Sequence, residues 1–314
     1  MTSVSPRALE DLPAATVSDV LRGVAAAFSA AGLDTAALDA RLLVAAALGL
    51  DQVGLIQVHG RVLTSAERQA IDTYAERRLA REPVSRILGR RWFWGLEFEI
   101  GPATLDPRPE TETLVAGVLQ RLREQSLHER PLRIADLGTG TGAIVIALLT
   151  ALPHATGLAT DIDEAALDVA RRNAARHGVE KRLELLKSDW FDAMGRQRFD
   201  VIVANPPYIR SSEIAELAPE VAQFDPKGAL DGGADGLAAY RAIIERAAAF
   251  LVKDGLLVFE VGAGQGPELR AMFDRAAELY GESPSALWQD LSGHERCVAA
   301  RARSTEEPKK GLES

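Results

Sequence analysis

The stretch from Leu132 to Gly142 constrains the fold more than any other part of the chain. Leu132–Leu137 is a short apolar run that passes through Asp136-Leu137-Gly138-Thr139-Gly140-Thr141-Gly142 directly into a helical stretch, Ala143–Leu152. A strand that turns over alternating glycines into a helix is the opening of a βαβ unit, since a parallel partner strand needs a crossover. The alternation then repeats. Ala155–Thr160, Leu183–Lys187, Phe199–Ala204 and Leu256–Val261 are further runs of strand length, with helical stretches at Glu164–His177 and Gly236–Val252. The pattern predicts an α/β unit with a mainly parallel sheet, helices on both faces and a ligand site at the carboxyl ends of the strands. Ala286–Gln289 and Arg296–Arg301 are expected to add an antiparallel edge pair.

Upstream the periodicity is helical throughout. Thr16–Ala31, Thr35–Leu48 and Thr64–Ala80 are rich in Ala, Leu and Arg, with threonines placed as N-caps and Gly32 and Gly49 as stops. The expected organisation is a helical N-terminal substrate-recognition domain at 1–85, a hairpin linker at 86–105 and a catalytic domain at 106–302. Residues 303–314 read as a polar, disordered tail. Trp92, Phe93, Trp94 and Phe98, punctuated by Gly89 and Gly95, suggest a hairpin or an extended linker whose aromatics pack one domain on the other.

The glycine loop reads G-x-G-x-G with Asp136 ahead of it. Alternating glycines let backbone approach a ligand without a Cβ in the way. A carboxylate beside the loop disfavours a pyrophosphate and tolerates a zwitterionic or cationic group. Asp161 ends the next strand about 20 residues on, where a carboxylate takes ribose hydroxyls. Asp189-Trp190-Phe191 follows the third strand and offers a flat apolar surface for a purine. Together these residues fit an adenosine joined to a sulfonium amino acid. Asp163 reads instead as a helix N-cap.

Asn205-Pro206-Pro207-Tyr208 directly follows the strand ending at Ala204. An asparagine oxygen and a proline carbonyl are two acceptors held by a rigid turn. They can take both hydrogens of a planar NH2 group, orient it and enrich its nitrogen for in-line attack on a methyl donor. Tyr208 offers a face on which a planar amide or base can stack. No titratable base stands in the motif, so positioning should dominate, an effect worth up to about 7–11 kcal/mol.

Charge and composition exclude other classes. The net charge is −9, which disfavours stable nucleic-acid binding because that binding needs a basic surface. The single cysteine, Cys297, forbids an intramolecular disulfide, and five scattered histidines make a metal site unexpected. No run approaches the roughly 20 apolar residues of a membrane span, and Met1–Ala15 lacks a secretory pattern, so a cytoplasmic monomer is expected. One local exception is the segment 66–94, where seven arginines face four acids, a net of +3 that could steer an acidic partner.

With these motifs in place, the chain resembles the release factor glutamine methyltransferases, or HemK proteins. The matching stretches are Leu105-Asp-Pro-Arg-Pro-Glu-Thr-Glu112, Asp136–Gly142, Ser188-Asp-Trp-Phe191, Asn205–Tyr208, Phe224-Asp-Pro226, and Gly236-Leu237 with Tyr240-Arg241. Asp106 departs from the aliphatic residue usual there. The resemblance implies a class I methyltransferase fold with a seven-stranded sheet. It implies transfer of the methyl of S-adenosyl-L-methionine to the glutamine of the Gly-Gly-Gln motif in class 1 peptide chain release factors. By position, Gly138, Thr139, Gly140, Thr141, Gly142, Asp161 and Trp190 would bind the cofactor. Asn205 would touch both cofactor and glutamine, Pro206, Pro207 and Tyr208 would shape the glutamine pocket, and Arg108, Glu110 and Glu112 would close it. The alternatives are a ribosomal-protein glutamine, an exocyclic amine of adenine or cytosine, or a non-catalytic adaptor, which should have lost the glycine loop or the Asn-Pro-Pro-Tyr acceptors.

Overall fold

The structure, a computed structural model, describes residues 15–280, 286–290 and 292–303. The expected tail lies outside them, apart from Arg303. The chain separates into two compact units, Met1–Gly89 and Arg90–Ser314.

The first unit is helical, with α1 (Val17–Ala30), α2 (Ala36–Ala47), α3 (Gln52–Gln57), α4 (Ser65–Leu79) and α5 (Val84–Leu88). Thr16 and Thr64 each close a capping box with the acid three residues on, Asp19 and Glu67. Thr35 works differently. Its hydroxyl donates to Asp39 at 2.8 Å and makes no cap bond to the helix amides. Val20, Val24, Phe28, Leu43 and Ile71 lie in a common apolar core. The two short helices α3 and α5 span too few residues to show a helical period in sequence.

Arginines of 66–94 pair with acids drawn from inside and outside the segment. Arg78 is buried with its Nε 2.8 Å from Asp39, and Arg77 holds Glu82 through two bonds of 2.7 and 2.6 Å. Arg90 pairs with Glu97 and Arg91 with Asp106. Arg78 is therefore a core residue of the helical unit and adds no charge to its surface.

The second unit begins with a hairpin, β1 (Arg90–Phe93) and β2 (Leu96–Glu99). Its two-residue turn places both Trp94 (φ 54°) and Gly95 (φ 70°) in the left-handed region, as such turns require. Phe93 and Phe98 meet edge-on at 6.1 Å and are buried in the core of this same unit, while Trp92 is 66% exposed. The burial of those two phenylalanines is thus internal to this unit. Glu112 receives the Trp94 amide at 2.7 Å, so this carboxylate braces the hairpin.

There follow α6 (Glu112–Glu124), β3 (Arg133–Leu137), α7 (Ala143–Ala151), β4 (Thr156–Asp161), α8 (Glu164–Arg176), β5 (Leu183–Lys187) and β6 (Phe199–Ala204). The chain continues through α9 (Pro219–Ala222), α10 (Ala238–Ala247), β7 (Leu251–Glu260), α11 (Gly266–Arg275), β8 (Ala286–Gln289) and β9 (Glu295–Arg301). The seven-stranded sheet runs β5-β4-β3-β6-β7-β9-β8, parallel through β7 and antiparallel at β9 and β8. Leu114, Val118 and Leu122 of α6 pack with α7 in one apolar cluster, and Tyr240, Ile243 and Leu269 of α10 and α11 in another. The expected final helix stops at Ala247 and β7 starts earlier than expected. The interruption at Lys253-Asp254-Gly255, with Asp254 at φ 61° and a shifted register against β6, hides the strand's first half in the sequence.

Candidate active site

Strand order alone lines up the motifs. The chain leaves β3 into the glycine loop, β4 ends at Asp161, β5 leads to Trp190, β6 leads to Asn205, and β7 ends at Glu260. Since β3 sits between β4 and β6, the order reverses there, and a crevice opens at that switch point. The crevice is a cleft of about 280 Å³, walled by the backbone of Gly138–Thr141 together with Asp161, Trp190, Asn205, Pro206 and Pro207. Leu105, Arg108 and Thr111 contribute the segment before α6. A depression of similar size, about 270 Å³, lies at the amino ends of the strands beside Arg133, Thr156 and Arg182, and holds none of these motifs.

The glycine loop is held from three directions. Gly138, Gly140 and Gly142 have φ of +70°, +55° and +79°, a path closed to ordinary side chains. Asp161 Oδ2 accepts the Gly140 amide at 2.9 Å while its Oδ1 accepts the Asp163 amide at 3.0 Å. Burial pushes the Asp161 carboxyl up, and those amides pull it back. Asn173, fully buried on α8, donates to the carbonyls of Thr141 and Glu99 at 2.9 Å each, joining loop to hairpin. Asp163 caps α8 by accepting from Ala165 at 2.8 Å.

Asp136 is 1% exposed and lies beneath the loop, not on the cleft wall; its Oδ2 accepts the Thr139 hydroxyl at 2.7 Å. Burial raises its pKa to about 7 against that hydrogen bond. Trp190 takes a left-handed backbone, φ 44°, and a Cβ added at Gly138 would lie 3.4 Å from its ring, so the indole runs along the loop. Backbone strain of this kind in a bulky residue marks a conformation imposed by its surroundings.

Asn205 and the two prolines face the same cleft, with Asn205 Nδ2 donating to the Thr111 hydroxyl at 3.4 Å. That contact turns the amide nitrogen toward Thr111. Tyr208 sits off the wall, half-buried against the core, and burial raises its phenol to about 12. Gln265 clamps its backbone, donating to the Tyr208 carbonyl at 3.0 Å while accepting the Gly262 amide at 3.1 Å. Gly236 passes so close that an added Cβ would lie 2.4 Å from the Tyr208 oxygen. Gly142 opens α7 behind the wall, and neither Glu110 nor Glu112 lines the cleft.

Several residues that build the site carried no signal of their own. Thr111 stands among the more conspicuous charged residues Arg108, Glu110 and Glu112; Asn173, Glu260 and Gln265 stand in unremarkable helix, strand and loop positions. Glu260 is 3% exposed at the end of β7, and burial raises its carboxyl to about 7, with Thr111, Arg296 and Asn205 lowering it and Glu110 raising it. Among the described residues no group of acids, histidines and cysteine could hold a metal, and no helix is long and apolar enough to cross a membrane.

The chain is similar to known proteins in both of its units. Residues 19–89 match the family described as PrmC N-terminal domain, and residues 117–223 the family described as Methyltransferase small domain. A release factor glutamine methyltransferase of Bradyrhizobium diazoefficiens is 46% identical over 95% of this chain and 99% of its own length. Its counterpart in Rhodospirillum rubrum is 46% identical over 87% of this chain and 81% of its own. Among solved structures, the hMettl16 catalytic domain in complex with MAT2A 3′UTR hairpin 6 aligns with a TM-score of 0.52 at 16% identity. It covers 77% of this chain and 84% of that one, a likeness of fold alone.

Proposed function

The chain belongs to the release factor glutamine methyltransferase family, and from that premise we propose that it methylates the side-chain amide nitrogen of the Gly-Gly-Gln glutamine in class 1 peptide chain release factors, with S-adenosyl-L-methionine as donor. The supporting observation is that Asn205, Pro206 and Pro207 share one cleft with the glycine loop, Asp161 and Trp190. Two acceptors for an NH2 group and a nucleoside-type site are therefore walls of one cavity.

The residues present fit the cofactor. The glycine backbone admits close approach, Asp161 presents a carboxylate at the end of β4, and Trp190 with the exposed Ile162 supplies apolar surface for a purine. When bound, S-adenosyl-L-methionine supplies an electrophilic methyl group. In this assignment Gly138, Thr139, Gly140, Thr141, Asp161 and Trp190 hold it, and Gly142 shapes the loop from behind.

The chain's own contribution is orientation. Asn205 Oδ1 and the Pro206 carbonyl take the two amide hydrogens of the glutamine, which aims the nitrogen lone pair into the cleft and strengthens its nucleophilic character. Pro207 and Tyr208 keep that turn from relaxing, with Gln265 and Gly236 packed behind them. Arg108 joins the opposite wall to the loop carrying Asp225. The helical unit serves substrate recognition.

The decisive experiment is mass spectrometry of a purified release factor incubated with this protein and labelled cofactor. One added methyl on the Gly-Gly-Gln glutamine is expected; methylation confined to a ribosomal protein or to a nucleic acid base would overturn the assignment.

A further inference from the structure

A buried acid stands behind the cleft and takes no part in the chemistry described so far. Glu260 ends β7, next to β6, whose end delivers Asn205. Its side chain is enclosed, one carboxylate oxygen (Oε2) has no hydrogen-bond partner, and the Thr111 hydroxyl and the Asn205 amide stand near enough to the carboxyl to pull its pKa down against burial. Thr111, itself buried, receives Asn205 Nδ2 at 3.4 Å. The three side chains thus form one polar cluster: an amide, a hydroxyl and a carboxylate.

We propose that Glu260 is a positioning residue that, through the Thr111 hydroxyl, holds the Asn205 amide with its nitrogen inward and its oxygen toward the cleft. This rests on the amide-methylation reading above. The direction follows from donor bookkeeping. An ionised carboxylate accepts only, so it draws the Thr111 hydrogen to itself and leaves the Thr111 oxygen to accept from Asn205 Nδ2. A protonated Glu260 donates instead. The Thr111 hydrogen then turns toward Asn205 and favours the flipped amide, which presents NH2 where the substrate NH2 must bind. In a buried chain of hydrogen bonds such polarity is transmitted from one member to the next.

The charged and titratable groups that face Glu260 come from four elements. They are Glu110 from the turn before α6, Tyr208 after β6, Tyr240 on α10, and Arg296 and Cys297 on β9. Arg296 is held by Asp290 at 2.8 Å, and Tyr240 is committed to the Glu260 backbone carbonyl at 2.9 Å. Burial places the carboxyl near pH 7, so the switch between the two hydrogen-bond directions falls in an accessible range.

The chain has two asparagines, Asn173 and Asn205, which makes a direct readout available. Full-length protein carrying ¹⁵N in asparagine side chains gives two amide signals. Asn205 is expected to shift in one transition near pH 7, and Asn173 to stay fixed. Glu260→Gln should abolish that transition. It should lower kcat for release-factor methylation at pH 8 by about tenfold or more, with cofactor affinity changed by less than about twofold. The wild-type rise of kcat with pH should disappear with it. Should Glu260→Gln fail to fold, Thr111→Val must uncouple the Asn205 shift and Thr111→Ser must restore it. An Asn205 signal that is flat between pH 6 and 8, or that titrates unchanged in either Glu260→Gln or Thr111→Val, overturns the proposal. A Glu260-dependent shift in a protein that transfers no methyl to release factors supports the relay and overturns the substrate assignment alone.

Discussion

Arg108 and Asp225 meet at 2.5 Å across 117 residues of sequence, tying the segment before α6 to the stretch that follows Asn205-Pro-Pro-Tyr. The arginine side chain is 34% exposed and the aspartate 1%, so the pair is screened on one side only. Breaking a fully buried pair costs about 3–5 kcal/mol and an exposed one under about 1. Arg108→Ala is therefore expected to destabilise by an intermediate amount, roughly 1–3 kcal/mol in urea unfolding. A double-mutant cycle with Asp225→Asn should return a coupling; additive losses would reduce the pair to mere proximity.

Asn205→Ala removes the side-chain acceptor and leaves the glycine loop and Asp161 in place. Loss of such a contact costs about 1–3 kcal/mol directly, so kcat should fall by about 10–100-fold or more. Cofactor affinity by calorimetry should stay close to wild type. Near-normal turnover would contradict the assigned role.

Asp161→Ala should act on affinity. It removes the carboxylate at the end of β4 and also the acceptor of the Gly140 amide, which holds the loop's path. The cofactor dissociation constant is expected to rise by roughly tenfold or more, while kcat at saturating cofactor changes less. An unchanged constant would remove Asp161 from the binding site.

Asp136 predicts an unusual pH dependence. Its carboxyl ionises ordinarily near 3.8 and near 7 in the fold, so the native state binds more protons between those values. Stability from this group is full below the unfolded value and is lost as pH rises through the folded one. Asp136→Asn keeps an acceptor for Thr139 and removes the buried charge. It should be more stable than wild type at pH 8 by up to about 4 kcal/mol, with the gap narrowing toward pH 4. A gap that does not vary with pH would assign the change to packing.

Gly236→Ala tests the close approach behind the motif. The site combines φ +75° with a Cβ position 2.4 Å from the Tyr208 carbonyl, and no side chain meets both conditions. A loss of about 1–3 kcal/mol is expected, with a fall in kcat larger than for Ala substitutions on the exposed face of α10. Wild-type turnover would show that the Asn-Pro-Pro-Tyr turn tolerates displacement.

How far the sequence reaches differs from one residue to the next. The ends of β5, β6 and β8 coincide with the apolar runs read from sequence, and Thr16 and Thr64 cap as expected, because period and capping are local properties of the chain. The glycine loop and the Asn-Pro-Pro turn are likewise local, since each is a demand on φ or on a missing N–H. Asp136 shows the limit. Its residue type suggested ligand chemistry, yet its position on β3 turns it beneath the loop.

Sequence alone determined the βαβ rhythm, the two motifs and the strands they follow, since these are written in spacing and in residues with special backbone requirements. Only the tertiary structure decided that β3 stands between β4 and β6, that Arg78 is a core residue against Asp39, and that Glu260 lies buried behind Asn205. Burial and partnership arise when distant surfaces meet and exclude water. A carboxylate's charge state, and hence what its neighbours must donate, does not exist until that happens.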